Sequence, residues 1–340
     1  MNAPSVSVAI CTYNRPQYLR EAVASVLAQT LTDFELILCD DASTDETPDI
    51  CRELAAKDRR IRILRHEANI GMVANWNSGL QASRGRYYAK LDDDNHYLPA
   101  FLEKTVGLLE RTPEAGFAFT DEWFIDGAGE RLGRVTEERA SEYGRATLAP
   151  GLHKDTPLLA ARQSCGINTT TFIRSVLLEA GGFRAFGGTI ADLDVFLNLA
   201  SQGTLACFVP ERLGEYRIHE GMGTSDLLIN TQKARHAVAM WEAFRFEGTA
   251  ERLRRDRLAN AYTGLTRVLL LNKDVPGARG AIAAGRKAAP TRLRTLLTWL
   301  LLRLPAPLIE SVLQRRYGRE LEMLIVPQPA GEAAGKASPS

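Results

Sequence analysis

The chain has 340 residues, 45% hydrophobic and 24% charged, an ordinary globular composition that excludes wholesale disorder, a collagen-like repeat and a polytopic membrane protein. Its net charge of +1 is unevenly placed: residues 250–320 carry 15 Lys and Arg against 5 Asp and Glu, a net +10, which leaves −9 on the remainder. Five scattered cysteines without a Cys-x-x-Cys pair, and a start lacking a basic flank and a long apolar run, point to reduced thiols in a cytoplasmic chain.

The first third alternates strand and helix. VSVAIC (6–11) is a near-continuous apolar run, as in a strand buried on both faces. Pro16 opens a helix to about Gln29, with Leu19, Val23, Val26 and Leu27 on one face. Strands follow at 34–39, 61–64 and 87–91; the polar turn 40–44 leads to a helix with Ile50 and Leu54 inward, and further helices are expected at 71–82 and about 99–110. This βα rhythm calls for a doubly wound, mostly parallel α/β sheet flanked by helices. Beyond residue 113 short strands are expected at 116–120, 123–125, 170–173, 205–209 and 213–218, with a loop or weak strand over 126–165 and a helix at 191–200. From about residue 226 the pattern is helical, with breaks near 273–277, 290 and 305–307, and the last dozen residues read as a disordered tail.

Open parallel sheets bind ligands beyond the carboxyl ends of their strands. Three polar clusters fall there: Thr12-Tyr13-Asn14-Arg15, the run from Asp40 and Asp41 to Asp45, and Asp92-Asp93-Asp94-Asn95. Three adjacent carboxylates repel one another. A solvated acidic turn is the ordinary reading of such a triplet, but its place opposite two other polar strand ends favours a divalent cation, Mg²⁺ or Mn²⁺. No Gly-x-Gly-x-x-Gly follows the first strand and no Walker-type phosphate loop occurs, so neither a dinucleotide dehydrogenase nor a P-loop NTPase is supported.

The segments VSVAICTYNRPQYLREAVASVLAQTLTDFELILCDDASTDET and NIGMVANWNSGLQASRGRYYAKLDDDNHYLP resemble glycosyltransferase family 2, inverting enzymes of the GT-A fold, over about residues 5–225. The resemblance implies a GT-A catalytic domain at 1–225, with a nucleotide-binding half at 1–112 and an acceptor half at 113–225. A helical C-terminal region (226–325) and a tail (326–340) follow. It implies that Asp92 and Asp94 form the family's D-x-D at the metal and that Thr12, Tyr13, Asn14, Arg15, Asp40, Asp41, Asn69, Asn75, Asp92 and Asp93 surround the nucleotide sugar. Asn95 departs from the pattern, since many relatives carry a further Asp there. In the segment 189–196, Ala191 stands where relatives show Glu, and Asp192 takes the place of the general base. Asp192 is also well placed to cap the following helix. The Tyr216-Arg217-Ile218-His219 segment resembles the family's Tyr-Arg-x-His and makes His219 a candidate third metal ligand, with Arg217 toward the anion or paired with Glu215 or Glu220.

The activity so implied is single-displacement transfer of a sugar from a nucleotide-diphosphate donor to a sugar, lipid-linked or protein hydroxyl acceptor, in polysaccharide, glycolipid or glycoprotein synthesis. The alternative is a non-catalytic sugar-nucleotide or glycan-binding module on the same fold. No nucleic-acid partner is expected. Asn77, Arg84 and Lys90 are weaker candidates near the donor, and Trp123 and Phe186 read as core. The basic 250–320 region, with a leucine-rich stretch at 293–304, is a candidate peripheral contact with the inner face of a membrane; packing on the catalytic domain or homodimerisation is the competing reading.

Overall fold

A computed structural model of the chain describes residues 3–184, 190–219 and 231–304. Nine strands form one sheet: β1 (Val6–Thr12), β2 (Phe34–Asp40), β3 (Ile61–Arg65), β4 (Tyr87–Asp92), β5 (His96–Tyr97), β6 (Ala115–Ile125), β7 (Gly151–His153), β8 (Thr170–Ile173) and β9 (Leu205–Arg217). Their order is β3-β2-β1-β4-β8-β6-β9-β5, with β7 also on β9. The helices are α1 (Pro16–Leu27), α2 (Thr47–Lys57), α3 (Met72–Ala82), α4 (Phe101–Arg111), α5 (Gly133–Glu142), α6 (Thr156–Arg162), α7 (Arg174–Glu179), α8 (Ala191–Ser201), α9 (Thr231–Ala243), α10 (Gly248–Leu271), α11 (Val275–Ala288) and α12 (Leu293–Leu301).

Every residue of β1 and β2 is buried. Side chains alternate across the strand, so Val8 and Ile10 enter one apolar layer with Leu19, Val23 and Val26 of α1, while Ala9 and Cys11 enter the other with Val73 and Trp76 of α3. Burying each of the α1 valines and Leu19 contributes roughly 1.5–3 kcal/mol. β3 lies at the edge, and its alternating burial leaves Ile63 40% exposed. The pairs β1–β2, β2–β3 and β1–β4 are all parallel. The chain winds outward from β1 through β2 to β3, then returns to place β4 on the other side of β1. That reversal opens a crevice at the carboxyl ends of β1 and β4.

Beyond β4 the sheet is mixed. β8 is antiparallel to β4 and β6, and β9 is parallel to β6. The two short strands expected on either side of Asp121-Glu122 are one strand, and so are the two on either side of Pro210. Register shifts at Thr120/Asp121 and Asp121/Glu122 absorb the polar residues as bulges, which bend a strand without ending it. The 126–165 segment, expected to be loop or weak strand, contains α5 and α6. The α5 helix buries only Thr136 and Ala140, so it has no apolar stripe to read, and its polar face carries the Arg134–Glu138 and Arg139–Glu142 ion pairs. Asp155 caps α6 by accepting from Leu158 N at 3.1 Å.

The C-terminal helices extend the existing core. Ala234, Trp241, Leu258, Leu265 and Ile282 belong to the same buried cluster as Phe172 of β8 and Phe196 of α8. All five cysteines are free and buried. The tail 326–340 lies outside the described residues.

Candidate active site

The β1–α1 turn is tied to the β2–α2 turn by Asn14. Its backbone N donates to Ser43 Oγ at 2.9 Å, and its Oδ1 accepts from Thr44 N at 2.8 Å. Asn14 has φ of +50°, a left-handed conformation that Asn tolerates better than bulkier residues. Thr12 is buried, and Tyr13 is 45% exposed at the rim. Asp40 is fully buried, paired with Arg65, and accepts from Ser43 N at 2.9 Å. Asp41 accepts from Ile70 N at 2.8 Å and Gly71 N at 2.9 Å, which fixes the entry to α3. Gly71 has φ of +88°, which a side chain would strain. Asn75 is spent on the scaffold: its Nδ2 donates to Cys39 O at 2.9 Å, and its Oδ1 lies 3.2 Å from His66 Nε2. Asn69 is exposed on the same loop.

At the end of β4 the three carboxylates part company. Asp92 accepts from Asn168 Nδ2 at 2.7 Å and pairs with Lys90, while its backbone N donates to Asn168 Oδ1 at 2.8 Å. Lys90 is fully buried, with its ammonium 3.9 Å from the centroid of the Trp76 ring. Burial opposes ionisation of Asp92, but the Lys90 charge and the Asn168 amide outweigh it and hold the carboxyl below its ordinary value. Asp93 shows the reverse. Burial and then the Asp94 charge push its carboxyl up to about 7. Asp94 Oδ2 lies 3.0 Å from Arg15 Nη1 and 3.1 Å from His219 Nε2.

Arg217 braces this corner. It is buried, donating from Nε to Asp94 O at 3.0 Å, from Nη1 to Gly127 O at 3.1 Å and from Nη2 to Glu21 Oε2 at 2.7 Å. Its backbone N donates to Asn95 Oδ1 at 2.8 Å. The pairing expected with Glu215 is instead made by His96 and Arg131, and Glu220 lies outside the described residues. Tyr18 packs against both members of the motif, 4.4 Å from the Arg217 guanidinium and 5.3 Å from the His219 ring.

The expected trio of Asp92, Asp94 and His219 is not assembled as a metal site: among the described residues no cluster of three or more His, Cys, Asp or Glu side chains is set to hold an ion. Both Asp92 oxygens face protein donors. Asp94 and His219 do converge, a carboxylate oxygen 3.1 Å from an imidazole nitrogen, and the same oxygen meets Arg15 Nη1 at 3.0 Å. The donor chemistry of that pair fits Mn²⁺, and a mixed oxygen–nitrogen set suits it better than Mg²⁺.

Asp192 stands exposed in the first turn of α8, and its Oδ1 accepts from Leu193 N at 2.9 Å. The protein packed around it pushes the carboxyl up to about 6. The Lys90 and Asp92 charges act on it, and both Asp92 and Asp192 act on Tyr216, so the β4 end and the α8 start lie near each other. Asp194 is buried against Arg184, 2.6 Å away, and faces elsewhere. Asn77 holds the chain at Phe183, donating to its O at 2.6 Å and accepting from its N at 2.9 Å. Arg84 is drawn to Glu35, away from the strand-end clusters. Trp123 is half-buried between Arg131 and Arg212, at 4.7 and 4.6 Å, and Phe186 lies outside the described residues. Sequence reading missed Asn168, whose partner lies 76 residues away with no spacing signal, and the bracing role of Arg217.

The comparisons with known proteins agree with this geometry. The family model for Glycosyl transferase family 2 matches residues 7–154. The putative glycosyltransferase EpsE of Bacillus subtilis is 29% identical over 248 residues, covering 72% of this chain and 83% of that protein. The chain spans 14–49% of the length of the curated relatives with which it shares 36–40% identity. Among solved structures, S. aureus TarS 1-349 in complex with UDP-GlcNAc superposes with a TM-score of 0.65 at 15% identity, covering 94% of this chain and 88% of that one. The mannosyltransferase PcManGT of Pyrobaculum calidifontis, in complex with GDP-Man and Mn²⁺, gives 0.56 at 20% identity, covering 95% and 87%. Both neighbours have the GT-A fold. The parallel half-sheet whose switch point gathers Arg15, the Asp92–Asp94 triplet and His219 has the GT-A fold, and over residues 7–154 the chain carries a glycosyltransferase family 2 domain.

Proposed function

We propose that the protein is an inverting glycosyltransferase that moves a sugar from a nucleotide-diphosphate donor to a hydroxyl acceptor in the synthesis of a polysaccharide or related glycan. The feature that carries this reading is the gathering of Arg15, Asp94 and His219 at the end of β4 on the GT-A fold, with Asp192 of α8 near enough to feel the Lys90 and Asp92 charges. The neighbours bound to UDP-GlcNAc and GDP-Man support a nucleotide-sugar donor without choosing its base or sugar.

In this reading the β1 and β2 turns, through Thr12, Tyr13, Asn14, Arg15, Asp40 and Asp41, shape the nucleotide pocket, with Asn69 and Asn75 at its edge. Asp93 borders the donor, and Asp92 is held in orientation by Asn168 and Lys90. Asp94 and His219 would hold a divalent cation, which when bound would offset the charge of the leaving diphosphate. Asp192 takes the proton from the acceptor hydroxyl as that oxygen attacks the anomeric carbon from the face opposite the diphosphate. One displacement inverts the anomeric centre, and no covalent sugar–enzyme bond forms.

The test is a panel of nucleotide sugars with Mn²⁺, reading free nucleoside diphosphate from slow donor hydrolysis. Release by the native protein and its loss in Asp192→Asn, with donor binding intact, support the proposal. Thermal stabilisation by a donor without turnover under any acceptor would identify a non-catalytic binding module instead.

A further inference from the structure

The helix α12 carries two opposed faces. Thr295 and Leu302 are buried beneath it. On the other side Leu293, Leu297, Leu300 and Leu304 recur at helical spacing and fall within about 60° of one another. They are 66, 56, 48 and 39% exposed, and the first three are the most exposed large hydrophobic side chains among the described residues. Isolated exposed leucines are ordinary, but three in register on one short helix, with Leu304 just past its end, are not.

The border of this stripe is cationic. The Trp299 ring lies between the guanidinium groups of Arg286 and Arg303, at 3.9 and 3.8 Å. Arg279 lines the same depression with Ile282 and Leu302 and donates from Nε to Leu302 O at 2.9 Å. Across residues 248–304 there are 12 Lys and Arg against 3 Asp and Glu. Two of those three acids already face Arg254 and Arg292.

We propose that α12 is a membrane-docking helix that seats the enzyme on an anionic lipid bilayer. The leucine stripe enters the headgroup–acyl boundary, and Arg286 and Arg303, stacked on Trp299 at the α11-facing flank, meet lipid phosphates. A helix of nine residues is far too short to span a bilayer, and no described helix is long and apolar enough to cross one, so α12 lies in the interface plane. Charge separates a bilayer from a second copy of the chain as the occupant of this face. A second copy would press one strongly basic surface against another, whereas an anionic bilayer complements it. The inference is independent of the roles proposed for Asp94, Asp192 and His219.

The experiment is flotation of the full chain with phosphatidylcholine vesicles, and with vesicles that also contain phosphatidylglycerol, at low and high salt. The expected result is binding to the anionic vesicles alone, suppressed by salt. Arg286→Gln with Arg303→Gln weakens it by about fivefold per arginine removed. Combined Leu293→Gln, Leu297→Gln and Leu300→Gln abolishes it. If that variant fails to fold, Leu293→Gln alone, at the most exposed position, still lowers binding several-fold with an unchanged melting temperature. Four outcomes overturn the proposal: no vesicle binding, binding unaltered in the folded glutamine variants, a wild-type dimer that those variants dissociate, or binding seen only after deletion of residues 305–340, which would mean that this segment covers the face.

Discussion

Asn168 grips Asp92 twice, donating from its amide to the carboxylate at 2.7 Å and accepting from the Asp92 backbone at 2.8 Å. The two residues lie 76 positions apart, on the β4 end and on the turn that leads into β8. With Lys90 on its other oxygen, Asp92 is held in one orientation, while the neighbouring Asp94 turns to Arg15 and His219.

Asn168→Ala removes both bonds from a buried position. We expect a loss of about 2 kcal/mol in unfolding free energy, because a hydrogen bond to a charged group is worth about 1.5–3 kcal/mol. Asn168→Asp should be worse than Ala, since it sets a second carboxylate against Asp92. Urea unfolding checks both, and equal stability of the native and alanine proteins would remove the clamp from the account.

Asp192→Asn should leave donor binding within about twofold and cut transfer by roughly 10²–10⁴, the usual contribution of a positioned base. Calorimetry with the donor and single-turnover transfer are the two readouts. Near-native transfer would reduce Asp192 to a member of the first turn of α8.

The surroundings of Asp192 push its carboxyl up to about 6. A base must be ionised to accept a proton, so it is competent above that pH and protonated below it. The pH profile of transfer should therefore fall on the acid side of about 6, and the residual activity of Asp192→Asn should lack that limb. A native profile flat down to pH 4 would contradict the assignment.

Asp94 and His219 approach each other at 3.1 Å. Asp94→Ala should abolish Mn²⁺-dependent binding of the nucleoside diphosphate, and His219→Ala should weaken it while changing the melting temperature less. Chelation of metal from the native protein should reproduce the first effect and be reversed by Mn²⁺. Unchanged metal-dependent binding in Asp94→Ala would sink the assignment.

Arg217 is buried and braces Asp94, Gly127 and Glu21 together. Arg217→Ala should cost about 2–3 kcal/mol, because several acceptors lose their donor at once. Arg217→Lys should recover less than half of that, since an ammonium cannot reproduce the planar fork. Full rescue by lysine in thermal melts would show that charge alone matters there.

Local chemistry made the first half of this protein legible. Buried runs such as VSVAIC, the apolar stripe Leu19, Val23 and Val26, and Pro16 at a helix start act within a few residues of themselves, so the strand–helix alternation and the polar strand ends follow from the order of residues alone. The second half depended on distant partners. Asp121 and Glu122 look like a strand break until Arg145 and Arg212 neutralise them within the β6–β9 bulge. The α5 helix has no apolar stripe to announce it. At the site, sequence placed the carboxylates at one strand end, but only the packing of the β8 approach and the end of β9 turned Asp92 toward Asn168 and brought His219 to Asp94. Side-chain orientation is set by whichever donors the fold delivers to each oxygen, and no local pattern encodes which those will be.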